Sequence, residues 1–430
     1  MSLSTPRRSC RWNDVVRRMM IASVAVMELA CGRAAPAPHD TRTNAAPVPA
    51  LSDAEVRDQD VEFYAARVER DPTGGADLAR LGALYLERSR ETGDWRDATR
   101  AEEAARRSLR NRLAHNDAAA QVLASALLSQ HKFDEALDVA RGLRDRNPTS
   151  APIRAQLAEV QMELGMYDSA RVAFDSLADD RTSLAVVPRL ARWAEIEGRS
   201  DDARRLMRHA LAMARRDPRT PREQVAWFWL RVGDIEMRAG RLPKADSAYR
   251  AGLAAHPNDY RVLTALARLA ANERRWQDAI GFANEAVAQV LDPATLGILS
   301  EAYAAIDDTV QSREYARALE VAVRGQPGEY HRAWSLFLLD HGRPTASLHR
   351  RIRDESKTRR DVYGYDLYAW SLYKQHRYAD ARRAMTIALG QGTQDAQLFF
   401  HAGKIAVALG DSTTAERQLA RARTLNPSLQ

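Results

Sequence analysis

The sequence predicts an all-α chain built as a stacked array of helix pairs. Three observations carry this. Residues 362–395 and 396–430 are two copies of one pattern, with Ala369 and Gly403, Ala381 and Ala415, and Ala388 and Ala422 each 34 residues apart; a fixed period of that length in paired helices marks a repeat array. The composition is rich in Ala, Leu and Arg, all strong helix formers, and β-branched runs are nearly absent. The apolar fraction of 45% is that of a chain able to bury a core rather than stay disordered.

The first 51 residues do not share the pattern. Arg7, Arg8, Arg11, Arg17 and Arg18 form a basic leader ahead of the short apolar run Met19–Ala30, which ends at Cys31. Basic flank, apolar centre and small exit residue read as an export signal over residues 1–30, too short for a comfortable membrane span. The end of the run resembles a bacterial lipoprotein signal, in which a cysteine after a small residue becomes lipidated; this implies lipidation at Cys31, although Glu28 stands where that pattern prefers Leu. A plain secretory signal and an uncleaved anchor are the other readings, and either Met1 or Met19 can be the start. Residues 31–51 are rich in Ala and Pro without periodicity, as suits a flexible tether. Removing residues 1–30 takes away five Arg against Asp14 and Glu28, so the formal charge falls from +7 to +4.

The helical body is expected over 52–430. It opens on Ser52-Asp53-Ala54-Glu55, the spacing of a capping box, and its first helix is expected to stop before Asp71-Pro72. After this half unit (52–74), full units are expected over 75–116, 117–150, 151–183, 184–225, 226–259, 260–292, 293–327, 328–361, 362–395 and 396–430. Each carries Leu/Val-Ala/Gly pairs on a first helix (Leu81-Gly82, Leu123-Ala124, Leu157-Ala158, Leu266-Ala267). A second helix follows, with an aromatic and then Ala three residues on (Trp95 and Ala98, Phe133 and Ala136, Tyr167 and Ala170, Trp276 and Ala279, Tyr378 and Ala381). Pro148, Pro257 and Pro427 close units. The unit 75–116 is about eight residues longer than the norm, about a turn in each helix. The unit 184–225 has an insertion containing Pro218 and Pro221. In 293–327 Ser312 stands where Ala is expected, and the second helix of 328–361, near Leu348 to Glu355, is degenerate.

These residues and spacings resemble the tetratricopeptide repeat (TPR) family. The resemblance covers about 52–430 and implies a right-handed superhelical α-solenoid of helix–turn–helix units, with small residues at the helix crossings and an aromatic filling the gap between helices. It also implies a protein or peptide partner held on the concave face lined by the first helices.

Chemistry is expected to be absent. No H-E-x-x-H, G-x-S-x-G or G-x-x-x-x-G-K-[ST] motif occurs, so no catalytic residue, cofactor or metal site is expected. His331, His341 and His349 lie near one another without a carboxylate at ligand spacing, and Asp179-Asp180 and Asp307-Asp308 sit where caps are favoured. The two cysteines, Cys10 and Cys31, both precede the helical body and build neither a disulfide framework nor a zinc site. The charge of +7 is interleaved, as in residues 87–107, which suits solvated helix faces and not nucleic acid.

The resemblance places candidate groove residues beside the packing positions. In the last two units these are Tyr363, Asp366, Trp370, Tyr373, Lys374, Phe400 and Lys404. Elsewhere they are Arg192, Trp227, Leu230, Arg261 and Arg268. Aromatics with a few charges suit capture of an extended peptide or an amphipathic helix. The expected function is therefore a non-enzymatic interaction scaffold, exported to the periplasmic side of a cell envelope and lipid-anchored there. Two alternatives are an accessory subunit or motif-less enzyme of an envelope process, and an adaptor held at the inner membrane by its uncleaved anchor.

Overall fold

The computed structural model describes residues 51–324, 332–342 and 344–427. The leader, Cys31 and all of the tether but Leu51 lie outside the described residues, as does His331. Within them every regular element is a helix, and there are 21. None is long and apolar enough to cross a membrane.

The first helix, α1 (Asp53–Arg70), begins as the sequence dictates. Ser52 accepts from the Glu55 N–H at 3.2 Å while the Glu55 carboxylate accepts from the Ser52 N–H at 2.7 Å. Ten antiparallel pairs follow. They are α2 (Gly75–Thr92) with α3 (Trp95–Asn111), α4 (Asp117–Ser129) with α5 (Phe133–Arg146), and α6 (Ala151–Glu163) with α7 (Tyr167–Asp175). Next come α8 (Val187–Ile196) with α9 (Ser200–Arg216), α10 (Arg222–Arg238) with α11 (Leu242–Ala255), and α12 (Tyr260–Asn272) with α13 (Trp276–Val287). The last four are α14 (Pro293–Ala305) with α15 (Thr309–Arg324), α16 (Arg332–His341) with α17 (Ala346–Glu355), α18 (Val362–Lys374) with α19 (Tyr378–Leu389), and α20 (Ala396–Ala408) with α21 (Ser412–Leu425). The body is a superhelical α-solenoid.

Small residues set the spacing of each pair. Ala136, Ala170, Ala203, Ala245, Ala279 and Ala381 are wholly buried where the second helix crosses the first. The partner position is equally tight: a Cβ on Gly233 would lie 2.3 Å from the Tyr249 ring, and one on Gly403 2.6 Å from Leu419. Large side chains then fill the layer between units. Phe174, Met207 and Tyr249 are fully buried, each contributing about 1.5–3 kcal/mol by burial. The long unit has gained length in both helices, 18 and 17 residues in α2 and α3 against 13 and 14 in α4 and α5. The Pro218–Pro221 insertion lengthens its neighbours in the same way: α9 and α10 each have 17 residues, joined by a short turn in which Asp217 accepts from the Arg219 N–H at 3.0 Å. Ser312, in place of Ala, carries a polar crossing, its carbonyl accepting from the Ser300 hydroxyl at 2.9 Å.

Successive first helices pack on one another (α2 on α4, α10 on α12, α12 on α14, α14 on α16, α16 on α18), whereas successive second helices make marginal contact at most. The first helices therefore line the inside of the curve and the second helices its outside. The curve is tight enough for the chain to meet itself. The turn inside the α6–α7 unit touches the junction between α17 and α18, where the Val362 N–H donates to the Tyr167 hydroxyl at 2.7 Å. One unit further on, the Thr393 hydroxyl, between α19 and α20, donates to the Ile196 carbonyl at the end of α8 at 2.5 Å. One unit further again, the turn at Gly240 lies against the end of α21 at Thr424 and Leu425. Nearer the N-terminus, Gly93 lies against Tyr260 and Val290, and Asp53 accepts from the Arg222 N–H at 2.8 Å.

Candidate functional site

The candidate site is the inner wall where α18 and α20 succeed α16. Asp361 caps α18 by accepting from the N–H groups of Tyr363 and Gly364, which fixes the direction in which the helix enters the wall. Asp366, one turn in, is completely buried. Its carboxylate takes hydrogen bonds from His401 Nδ1 at 2.7 Å and from the Arg332 guanidinium at 2.6 Å, joining α16, α18 and α20. Burial by itself pushes the Asp366 carboxyl up, but His401 and Arg332 outweigh it and hold the group below the usual carboxylate range.

Trp370 is one turn further along. Its indole N–H donates to Asp340 at 2.8 Å, and its ring stacks on Tyr373 and His401 with centroids 4.6 and 4.0 Å away. The Lys374 ammonium sits 4.8 Å from the same ring and pairs with Asp340 at 3.1 Å. Phe400 lies 6.4 Å from Trp370 and carries the Lys404 ammonium 5.2 Å above its face. The result is an aromatic cluster in which Lys374 lies over the buried Trp370 ring and Lys404 over the half-exposed Phe400 ring.

The structure thus brings the seven candidates of the last two units together, and it changes the standing of two. Asp366 and Trp370 were expected beside the packing positions. They are 0% and 4% exposed and bind one first helix to the next, because consecutive first helices approach closely enough for those positions to face a neighbour. Tyr363, Tyr373, Lys374, Phe400 and Lys404 remain half-exposed.

Arg192 joins this wall from a distant unit. Its guanidinium lies 5.7 Å from the Tyr363 ring, whose surroundings also include Arg332 at 5.1 Å. Arg261 is spoken for by Glu223 at 2.7 Å and Asp259 at 2.5 Å, and Arg268 is exposed. Trp227 and Leu230 are half-buried and pack against two different core clusters around α10, so these four do not meet the aromatic wall.

Several residues of the wall carry no motif in the sequence. Asp340 and His401 complete it through partners 30 and 35 residues away, one repeat along the chain; a polar pair offset by one period was the available signal. Glu195 on α8 is buried and accepts from Arg231 at 2.8 Å and from Arg238. Burial opposes its ionisation, but Arg238, Arg231 and Arg192 prevail and lower its pKa. Glu163 at the end of α6 has no hydrogen-bond partner among the described residues, and burial raises its carboxyl pKa against the pull of Arg192. His341 pairs with Glu301 at 3.1 Å and His349 with the Ser371 hydroxyl at 2.7 Å. Among the described residues no three His, Cys, Asp or Glu side chains converge as metal ligands would.

Three stretches, residues 127–193, 226–269 and 369–429, match family models described as tetratricopeptide repeat. No curated protein matches the chain. Among solved structures it is similar to PilF of Pseudomonas aeruginosa, at 17% identity over 51% of this chain and 96% of that one with a TM-score of 0.38. It is also similar to PilW, described as a type IV pilus biogenesis factor, at 18% identity over 52% and 99% with a TM-score of 0.41. A third is a tetratricopeptide repeat protein of Parabacteroides merdae, at 15% identity over 60% and 97% with a TM-score of 0.42.

Proposed function

We propose that this chain, a solenoid with three stretches that match tetratricopeptide repeats, is a non-enzymatic scaffold that holds a protein or peptide partner on its inner wall. The observation that carries the reading is the half-exposed set Tyr373, Phe400, Lys374 and Lys404 on α18 and α20. Two half-exposed rings and two half-exposed cations lie on these neighbouring first helices, and aromatic faces with flanking charge are the usual anchors of a bound polypeptide. Their buried supports, Trp370, Asp366 and His401, hold the rings in place without themselves reaching the partner. The absence of a catalytic motif from the sequence fits the same reading.

Capture of partners from cell-envelope extract tests it. The unaltered protein is expected to retain a partner that Phe400→Ala with Lys404→Ala loses, while the helical circular-dichroism signal stays unchanged. A partner retained equally by both moves the site off this wall. The export signal and the lipid on Cys31 belong to the same proposal: the chain acts beyond the cytoplasmic membrane, anchored by its N-terminus. Mass spectrometry of the mature protein is expected to find a diacylated Cys31 at the N-terminus. An intact Met1 or Met19 supports the uncleaved anchor instead.

A further inference from the structure

We infer that α20, which no further first helix follows among the described residues, is an open position of the inner wall that takes one more helix from a partner protein. That helix is amphipathic, with acidic residues beside its apolar stripe, and docks along Phe400, Lys404 and Val407. The inference rests on the binding role of the wall and names the kind of partner it holds.

The register of the wall shows how one first helix receives the next. On α16, Arg332 donates to Asp366 of α18 at 2.6 Å, and Leu336 and Leu339 are buried in one cluster with Leu367 and Trp370. Asp366, Trp370 and Tyr373 stand 34 residues after these three, and they receive α20 in turn. Asp366 accepts from His401 Nδ1 at 2.7 Å, Trp370 stacks on the His401 ring at 4.0 Å, and Tyr373 packs on the cluster that holds Ala402 and Ile405. Another 34 residues on come Phe400, Lys404 and Val407, spaced i, i+4 and i+7 on one face of α20. No described helix covers them. Val407 is 57% exposed, and Phe400 and Lys404 are half-exposed. Lys404 lies over the Phe400 ring and pairs with no carboxylate among the described residues.

A solenoid end that faces water carries a polar outer face. The second helix of this unit has one: Gln418 stands where Ala384 is buried one unit earlier, and Arg423 where Leu389 packs. α20 has none. A phenyl ring and a valine occupy the positions through which α16 and α18 each bind the next helix.

Charge sets what covers them. α20 and α21 carry Lys404, Arg417, Arg421 and Arg423 against Glu416 alone. Two copies of this chain meeting here would set those cations against one another. A helix with carboxylates flanking its apolar stripe gives Lys404 the counter-charge it lacks. The junction of α16 with α18 is the precedent, since a cation on the earlier helix, Arg332, there holds a carboxylate on the incoming one, Asp366.

Fluorescence anisotropy with the full chain tests the inference. The probes are two blocked, labelled helical peptides of about 18 residues, built of alanine, glutamine and leucine with the leucines at i, i+4 and i+7. One has glutamate beside the leucines and its twin has lysine. The glutamate peptide is expected to bind about tenfold or more tightly than the lysine peptide, and Lys404→Glu should reverse that order. Val407→Asp should weaken the glutamate peptide about tenfold with an unchanged helical signal, because Val407 fills no core position. Equal affinity for the two peptides, binding of neither, or an order that Lys404→Glu leaves in place overturns the inference. So does loss of binding in Lys374→Ala without loss in Val407→Asp, which leaves the binding wall standing with its partner laid across α18 instead. Affinity that is the same in Phe400→Ala, Lys374→Ala and Val407→Asp removes the wall as well.

Discussion

Two kinds of contact hold this molecule together, and they are built from different chemistry. Between consecutive units the contact is apolar and continuous: Ala170 and Phe174 of α7 pack with Met162 of α6 and with Leu190 and Trp193 of α8 in one buried cluster. Between windings it is mixed: glycine turns against carbonyls, the Tyr167–Val362 and Thr393–Ile196 hydrogen bonds, and Val362 and Leu398 buried in that same cluster. The first kind fixes the repeat and hence the fold. The second fixes only how far the solenoid coils.

The difference can be broken at its strong end first. Phe174→Ala removes a ring that stacks on Trp193 at 5.4 Å and should cost about 3–5 kcal/mol. Because each unit leans on its neighbours, chemical denaturation of this variant is expected to split into two transitions instead of one shifted one. A single transition would show that the windings couple the halves more strongly than their contacts suggest.

The ionic joint between first helices comes next. Asp366→Asn leaves the buried His401 and the half-buried Arg332 without their carboxylate, a loss of up to about 3–5 kcal/mol. Its pH dependence has a definite sign. The carboxyl has a depressed pKa in the folded state, so its contribution is present above the unfolded value, about 4, and is lost as the pH falls through the folded value. The stability difference between the unaltered protein and Asp366→Asn should therefore shrink in acid. A difference that is constant with pH would mean that the joint is held by packing.

The hydrogen bonds between windings should show less in stability than in local opening. Tyr167→Phe and Thr393→Val each remove one hydrogen bond, worth about 0.5–1.5 kcal/mol. Amide exchange near residues 196–198 and 360–362 is expected to speed up while the melting temperature hardly moves. The smallest effect has the opposite sign. Glu163 has its pKa raised by burial, so its stabilising contribution is present below the unfolded value and is lost as the pH rises through the folded one. Above the folded value the ionised carboxylate is a liability, and Glu163→Gln should raise the melting temperature there and leave it unchanged in acid.

The repeat was legible in the sequence because it is local. A 34-residue period, alanine where the helices cross, and the Ser52–Glu55 box all act between residues within one or two units, and the structure places their side chains accordingly. The candidate wall was legible in part. Tyr373, Phe400 and their lysines could be marked as surplus to the packing pattern. Asp366 and Trp370 could not be told from them, since whether a first-helix position faces solvent or the next first helix depends on how sharply the array curves.

By itself, then, the sequence determined an all-α solenoid of paired helices with small residues at their crossings, because those interactions repeat and each is set by residues near one another in the chain. Only the tertiary structure decided the winding. It brought Tyr167 to Val362, Ile196 to Thr393 and Arg192 to Tyr363 across separations that no period encodes. Small rotations from unit to unit add up over five units, and it is the sum, not any single step, that makes the windings touch.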